Sequence, residues 1–573
     1  MKISNREANL ALEKNLIIKG VSPLLANILA KRNINSIDEL DMSISKLLPP
    51  WDLLNINKAS ELLGNAVVTK KLILIVADFD ADGATGCAVA VLGLRKFNAN
   101  VDFIVPDRFV FGYGLTPELV DFAVDKFTKS HNKVPDLLVT VDNGISSLKG
   151  VQKAKQLGID VLITDHHLPG KTLPDTLIVN PQQQGCKFKS KNIAGVGVIF
   201  YLLIATRHWL RKKNYFSSSK EPRLDNLLSL VALGTIADLV PLDFNNRRLV
   251  FQGLKRFKNG FIPTGLTALL KISDLQSKKI ICSDLGFKIA PKLNAAGRLS
   301  DMSIGIKCLI EKNEHIALDL AKKLEELNKK RKEIEITTKE EGMSLVNHSE
   351  INKKGLGTIL FKKNWHQGVV GLVANKVKDM TTSPTIAFAY QNQESKLLKG
   401  SGRSINGVHL RDVLERISMR KPGLIVAFGG HAMAAGMTIY EKNLNEFKTA
   451  FDTALDEFSD KSLFSPVVQT DGKLDLTMID IQSVYELKNA IWGQSFSPPI
   501  FHDEFIVHQK KILKGKHIKL LISHKDKQSF KIEAIWFDAD EFTTDKISVV
   551  YELNINDWQG QEKIQINIKH LIR

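Results

Sequence analysis

Short apolar runs alternate with helix-length segments through the first third of this chain. The runs fall at 71–77, 101–105, 136–141, 160–164 and 176–180. Their largely unbroken apolar character predicts buried parallel strands in a β-α-β-α-β arrangement. Each run exits onto polar or charged residues: Asp78, Pro106-Asp107-Arg108, Asp142, Asp165-His166-His167 and Asn180-Pro181. An open parallel sheet binds ligands outside the carboxyl ends of its strands, so these exits define one functional edge. A helical layer is expected over 195–271. Residues 316–346, rich in Lys and Glu with Leu318, Leu320, Leu324 and Leu327 at helical spacing, predict one long helix joining two domains. An ordinary surface helix fits that spacing as well. A second α/β unit runs from Gly355 to about Ser459 and carries three Gly-rich loops, at 365–368, 399–404 and 428–431. From about Pro466, period-two stretches at 517–522, 530–537 and 547–555 predict a small antiparallel β domain. Residues 1–65 read as helical and carry no recognisable chemistry.

Composition narrows the class. A chain of 573 residues is too long for one core and predicts three or four domains. With 44% hydrophobic and 25% charged residues it is neither disordered nor fibrous. The longest apolar stretch, 227–242, contains Asp238 and reads as a buried helix, so no membrane partner is expected. The N-terminus lacks an apolar signal core. Four cysteines without CxxC spacing argue against zinc and for a reducing, cytoplasmic setting. The net charge of +17 favours a polyanionic partner, although a generally Lys-rich composition gives the same number.

The acidic strand exits carry the chemistry. Asp78, Asp80 and Asp82 resemble the start of a calcium loop, but its twelfth position is Val89 where a bidentate Glu is required. Asp142 and Asp165 would each pass for helix N-caps in isolation. Together with His166, His167 and the Asp78 group they point to a cation site, because clustered carboxylates repel unless neutralised. Asp238 lies in an apolar stretch and also needs a cation. Carboxylates with one imidazole favour Mn²⁺ or Mg²⁺, and the donors suffice for two ions sharing Asp142. A cationic set comprises Arg108, with Arg298 and Arg403 in glycine-containing segments suited to phosphate oxygens.

These elements, in this order, resemble the DHH phosphoesterase superfamily. The resemblance runs through Asp78-Phe79-Asp80-Ala81-Asp82-Gly83, Pro106-Asp107-Arg108, Gly112-Tyr113-Gly114-Leu115, Thr140-Val141-Asp142-Asn143-Gly144 and Asp165-His166-His167. It continues through 194–198, 232–238, 294–298, 365–368, 400–404 and 429–431. One departure is Ala77, where the family commonly has Gly. The resemblance implies an α/β multidomain chain with an N-terminal helical segment (1–65) and a parallel-sheet DHH catalytic domain (66–315). A connecting helix (316–346), a smaller DHH-associated α/β domain (347–460) and a C-terminal OB-like β-barrel (461–573) would follow. It implies 5′→3′ exonucleolytic degradation of single-stranded DNA in recombination and repair by a monomer. A single-stranded-DNA-binding protein and a helicase are its implied partners. It places two ions on Asp78, Asp80, Asp142, His166 and Asp238, with Asp82 a further ligand candidate. His167 and Asp142 would be catalytic, and Arg108, Arg298, Ser401, Arg403 and His431 would hold substrate phosphates. Two rival readings remain: a superfamily phosphodiesterase for very short oligonucleotides or cyclic dinucleotides, and a non-catalytic single-strand-binding scaffold.

Overall fold

The structure, a computed structural model, describes residues 2–217, 221–348, 356–392, 394, 396–458, 467–474, 479–513, 517–537, 539, 542–558 and 560–572. The expected limits at Gly355, Ser459 and Pro466 lie outside the described residues. Contacts divide the chain into two compact units, Asn5–Glu326 with Thr470–Arg573, and Met1–Ser4 with Leu327–Gln469.

In the first unit the apolar runs form five strands, Leu72–Ala77, Asn100–Ile104, Leu137–Val141, Asp160–Thr164 and Leu177–Val179. All neighbours pair in parallel. Laterally, Leu72–Ala77 lies between Asn100–Ile104 and Leu137–Val141, and the remaining two strands follow in chain order. The winding therefore reverses between Leu72–Ala77 and Leu137–Val141, the position where a doubly wound sheet opens its ligand crevice. Both faces of the sheet are covered, which is why the runs are unbroken rather than alternating. Leu74, Val76, Leu138 and Ile163 pack with the helices Pro117–His131 and Leu148–Gln156. The helix Ala81–Lys96 packs between the sheet and the helices Gly195–Lys212 and Leu228–Ala237. That last helix is shorter than the apolar stretch 227–242. Leu239 turns to φ +58°, and Pro241 cannot continue a helix.

A single helix, Glu314–His348, continues into the second unit as the Leu spacing predicts. The second unit holds a mixed sheet in the order Ala427–Gly430, Ala434–Tyr440, Leu397–Arg403, Thr385–Asn392, Thr358–Phe361. Two of the three expected Gly-rich loops are therefore strands. Leu397–Arg403 sits inside this sheet, paired on both sides. A Cβ on Gly400 would stand 2.4 Å from Phe388 and 2.7 Å from the Met437 sulfur, so this glycine makes room for neighbouring side chains rather than forming a turn. Only Trp365-His366-Gln367-Gly368 lies outside regular structure, just before the helix Val370–Thr381.

The tail closes into a barrel of Phe501–Leu513, His517–His524, Lys527–Trp536, Lys546–Trp558 and Gln561–Leu571. Its first and last strands escape the period-two reading. The first has a bulge between Val507 and Gln509 and then runs largely exposed, and the last carries Gln, Lys and Asn at most outward positions. The N-terminal segment also departs from the helical expectation. Lys2–Asn5 is a strand paired with Val467–Thr470, and residues 37–52 form short 3₁₀ turns between true helices. Arg248 fastens those turns by donating to the carbonyls of Asp38, Asp41 and Lys46.

One buried carboxylate ties this segment to the tail. Asp471 accepts from Arg32 at 2.6 and 3.2 Å, from Arg6 at 3.1 Å and from the Ile500 N–H at 3.0 Å. Arg32 also donates to the Ser497 carbonyl and lies over the Trp492 ring. Asp471→Asn leaves two guanidinium groups without their counter-charge. We expect a loss of about 3–5 kcal/mol, read as a lower midpoint in denaturant unfolding followed by tryptophan fluorescence. An unchanged midpoint would show the cluster to be solvent-compensated.

Candidate metal centre

The sheet carries its acidic exits one strand apart. Each Asp extends the parallel ladder by one bond: Asp78 N–H to Val141 O at 3.1 Å, Asp142 N–H to Thr164 O at 3.0 Å, and Asp165 N–H to Val179 O at 3.2 Å. Neighbouring strands lie about 4.8 Å apart, so the three carboxylates are fixed at contact spacing by the backbone. All three are buried. Asp142 is held at φ +65°, a left-handed conformation that Asp tolerates better than most residues. The Asn143 amide beside it donates to the Val76 and Val141 carbonyls, capping both central strands. Gly195 opens the next helix so close that a Cβ there would stand 2.6 Å from the Asp142 side chain.

Asp165 organises the two histidines. Its Oδ1 accepts from the N–H of His166 at 2.7 Å and of His167 at 3.1 Å, and it lies 2.7 Å from His167 Nδ1. Its Oδ2 accepts from the Ile145 N–H at 2.9 Å. Burial pushes Asp165 up, but the His167 hydrogen bond and charge, with His166 and Ile145, outweigh it and hold the carboxyl below its usual range. Burial would lower His167, yet Asp165 and the neighbouring aspartates raise it to about 9. Tyr113 OH stands 3.0 and 3.2 Å from the two His167 ring nitrogens, and Asn180 donates to the His167 carbonyl.

His166 also reaches Asp142. Its Nε2 is 3.1 Å from Asp142 Oδ1, 3.5 Å from Asp238 Oδ2 and 3.9 Å from Asp82 Oδ2. Donor atoms of Asp78, Asp80 and Asp142 lie within 4.8 Å of one another. So do those of Asp142, His166 and His167, and those of Asp82, His166 and Asp238. Asp142 thus belongs to two overlapping groups. Its Oδ1 is a buried carboxylate oxygen that takes no hydrogen bond among the described residues. Burial first, and then the neighbouring carboxylates, push Asp78, Asp142 and Asp238 well above the usual range. Oxygen-rich donors with one imidazole, crowded until they resist ionisation, fit hard divalent cations such as Mn²⁺ or Mg²⁺.

Two expected ligands also serve the backbone. Asp80 caps the helix Ala81–Lys96 by accepting from the Gly83 N–H at 3.0 Å. Asp82 gives both oxygens to the start of the helix Gly195–Lys212, accepting from Gly195 N–H at 2.6 Å and Val196 N–H at 3.0 Å. Burial and Asp80 still raise Asp82 to about 7.

The Arg108 guanidinium lies 4.4 Å over the Phe79 ring, and burial, partly offset by Asp78 and Asp80, lowers it. Arg298 follows Gly297, whose α-carbon packs on the Phe79 carbonyl, so Arg298 belongs to the same loop neighbourhood. In the second unit Arg403 donates to Ser401 Oγ at 3.1 Å and to the Gly402 carbonyl at 2.8 Å. Both side chains lie against Gly371 in the first turn of the helix Val370–Thr381. Burial lowers the Arg403 guanidinium, and it has no acidic partner among the described residues. His431 sits in the turn between Ala427–Gly430 and Ala434–Tyr440, with its N–H on the Ala434 carbonyl.

Sequence reasoning places Asp165 in the cation cluster but misses its hold on His167, and it gives no role to Tyr113, Asn143, Asn180 or Asn294, whose Oδ1 accepts from the Ala81 N–H. Asp165 opens the Asp-His-His tripeptide and Tyr113 stands between two glycines, so both were flagged by position. The asparagines act through contacts distant in sequence and carry no local signal.

Three family models match the chain: DHH family, N-terminal domain at 72–235, DHHA1 domain at 352–457 and RecJ OB domain at 470–570. The chain is 42% identical over 563 residues to the single-stranded-DNA-specific exonuclease RecJ of Escherichia coli, covering 96% of each protein. The fold superposes on RecJ from Thermus thermophilus in complex with Mn²⁺ with a TM-score of 0.81 and 26% identity. That match covers all of this chain and 79% of the other. The Mg²⁺ complex of the Thermus thermophilus protein superposes with a TM-score of 0.76 at 24% identity, over all of this chain and 78% of the other. Motifs, sheet topology and full-length identity agree: this chain belongs to the RecJ family of single-stranded-DNA-specific exonucleases.

Proposed function

We propose that the chain degrades single-stranded DNA 5′→3′, in recombination and repair, using two Mn²⁺ or Mg²⁺ ions. The observation that carries this reading is the pair of overlapping donor groups sharing Asp142 at the topological switch point. Asp78, Asp80 and Asp142 would hold one ion, and Asp142 and His166, with Asp238 3.5 Å from His166, would hold the other. Asp82, with both oxygens engaged by backbone N–H groups, supports the cluster from behind and is the weakest ligand candidate.

Two divalent cations supply charge neutralisation for the oxygens that attack and leave phosphorus, and lower the pKa of water. His167, oriented by Asp165 at 2.7 Å, would donate to a non-bridging oxygen of the scissile phosphate. Arg108, its plane fixed by Phe79, and Arg298 hold phosphates beside it. Ser401, Arg403 and His431, with the N-terminus of Val370–Thr381, form a further phosphate site in the second unit. The barrel adds Lys-rich strands and an exposed Phe537 set edge-on to His517, features suited to an unpaired strand. A scaffold needs no such acidic cluster, and a short-substrate enzyme needs no barrel. The family resemblance supports a single-stranded-DNA-binding protein and a helicase as partners of a monomer. Four free cysteines support a reducing cytoplasmic setting, and no described helix is long and apolar enough to cross a membrane.

Asp142→Asn keeps a residue that tolerates φ +65° while removing the shared charge. Cleavage of end-labelled single strands should fall by about 10³-fold, while the metal-free melting temperature at pH 8 should not fall, since a destabilising charge is removed. A near-normal rate with metal still bound would overturn the two-ion assignment.

Proton linkage gives a second expectation. Asp82, Asp142 and Asp238 have folded-state pKa values above their unfolded ones, so in metal-free protein their contribution to stability is complete at low pH. That contribution is lost as pH rises, through about 7 for Asp82. Metal-free protein should therefore melt at a lower temperature at pH 8 than at pH 6. Mn²⁺ should remove that slope and bind with proton release detectable by calorimetry in two buffers. A metal-free melting temperature that rises from pH 6 to 8 contradicts the cluster's electrostatics.

Arg403→Ala tests the second phosphate site. It should lose about 2 kcal/mol of preference for a 5′-phosphorylated over a 5′-hydroxyl strand. The melting temperature should not fall, because a buried cation without an acidic partner is removed. Unchanged end preference with a lower melting temperature would mean that Arg403 only holds its strand.

A further inference from the structure

Leu239 is 67% exposed and immediately follows Asp238, whose carboxylate is 3.5 Å from His166. Its φ of +58° is a left-handed conformation that leucine rarely adopts and glycine adopts freely. The turn holding it is rigidly fastened on both sides. Asp238 N–H bonds the Gly234 carbonyl at 2.9 Å, Leu242 N–H bonds the Gln494 carbonyl at 2.8 Å, and Leu242 packs on Gly493. Asp243 then caps the helix Phe244–Lys258. The fold thus forces a large apolar side chain into solvent one residue from the cluster, against both backbone preference and burial. Backbone strain of this kind gathers at functional sites. A second exposed apolar residue, Phe287, is 82% exposed on the π-turn Leu285–Ile289. That turn approaches Ile236, three residues before Leu239, through Gly286.

A phosphodiester lying on the cluster brings its own nucleotide to this position, and the apolar part of a nucleotide is its base. We infer that Leu239 is a specificity-determining residue that packs against an unpaired nucleobase at the cluster, with Phe287 as a second apolar contact. The inference rests on the nuclease reading of the cluster. A base still stacked in a duplex cannot offer its face to a side chain, so the contact favours unpaired ends.

The test compares kcat/KM on 5′-phosphorylated single strands that either carry all bases or lack the first two. Wild type should favour the complete strand by about tenfold, the scale of one lost apolar base contact. Leu239→Gly and Leu239→Asn both accommodate the backbone and should reduce that preference to within about twofold. Their melting temperatures should match or exceed wild type. Phe287→Ala should reduce the preference less. Equal wild-type rates on both strands, or a full preference kept by Leu239→Gly, would overturn the inference. Lower stability with equal proportional loss on both strands would also overturn it, as a structural role. Absence of any wild-type cleavage of the complete strand would instead be a failure of the nuclease reading itself.

Discussion

Six aspartates, Asp78, Asp80, Asp82, Asp142, Asp165 and Asp238, crowd the carboxyl edge of one sheet, and their mutual repulsion governs the architecture around them. The protein answers it unevenly. Asp165 is neutralised by His167 and three backbone N–H groups, Asp82 receives a helix start, and Asp80 caps its own helix. Among the described residues, Asp142 and Asp238 receive little beyond the His166 imidazole, whose Nε2 lies 3.1 and 3.5 Å away. Full internal compensation would stabilise the fold and leave nothing for an ion. Partial compensation places the unmet charge where two divalent cations fit, so binding free energy becomes part of folding free energy.

The sheet edge was legible because parallel strands buried on both faces leave an unmistakable pattern, and because their exits are fixed by the ladder itself. Residue type could then be read as chemistry at Asp78, Asp142 and Asp165-His166-His167. What failed was local inference about glycine. Gly400 and Gly402 read as a loop because a turn and a crowded strand favour the same residue for different reasons, and only the neighbours Phe388, Met437 and Leu410 distinguish them. The barrel's outer strands were lost for a related reason: a bulge breaks period two, and outward polar residues dilute it.

The lock between the N-terminal segment and the tail was not legible at all. Arg32 and Asp471 are separated by 439 positions, and neither sits in a pattern that announces a partner. A buried ion pair is also poor evidence for net stability, since an apolar replacement often serves as well. Its physical consequence is specificity of arrangement. Arg6, Arg32 and the Ile500 N–H all converge on one carboxylate, so Asp471 and Ile500 have one favourable seat against the N-terminal segment. Removing the tail would also strip Arg6 and Arg32 of their shared partner, so truncation cannot isolate the barrel's contribution to strand binding.

Left-handed backbone occurs at two side-chain-bearing positions of the metal centre, Asp142 and Leu239, and the contrast between them is informative. Asp142 tolerates the conformation, and its Oδ1 lies 3.1 Å from His166 Nε2, within the acidic cluster. Leu239 ends the helix Leu228–Ala237 in the left-handed conformation that glycine usually supplies there, and its side chain gains no burial in return. Helix termination accounts for the backbone turn, and the inferred base contact accounts for a leucine, rather than glycine, at that turn. On the proposed reading the acidic cluster serves the phosphate of the arriving strand and the barrel its length, and the inferred apolar contact at Leu239 serves the one part of a nucleotide that neither addresses, its base.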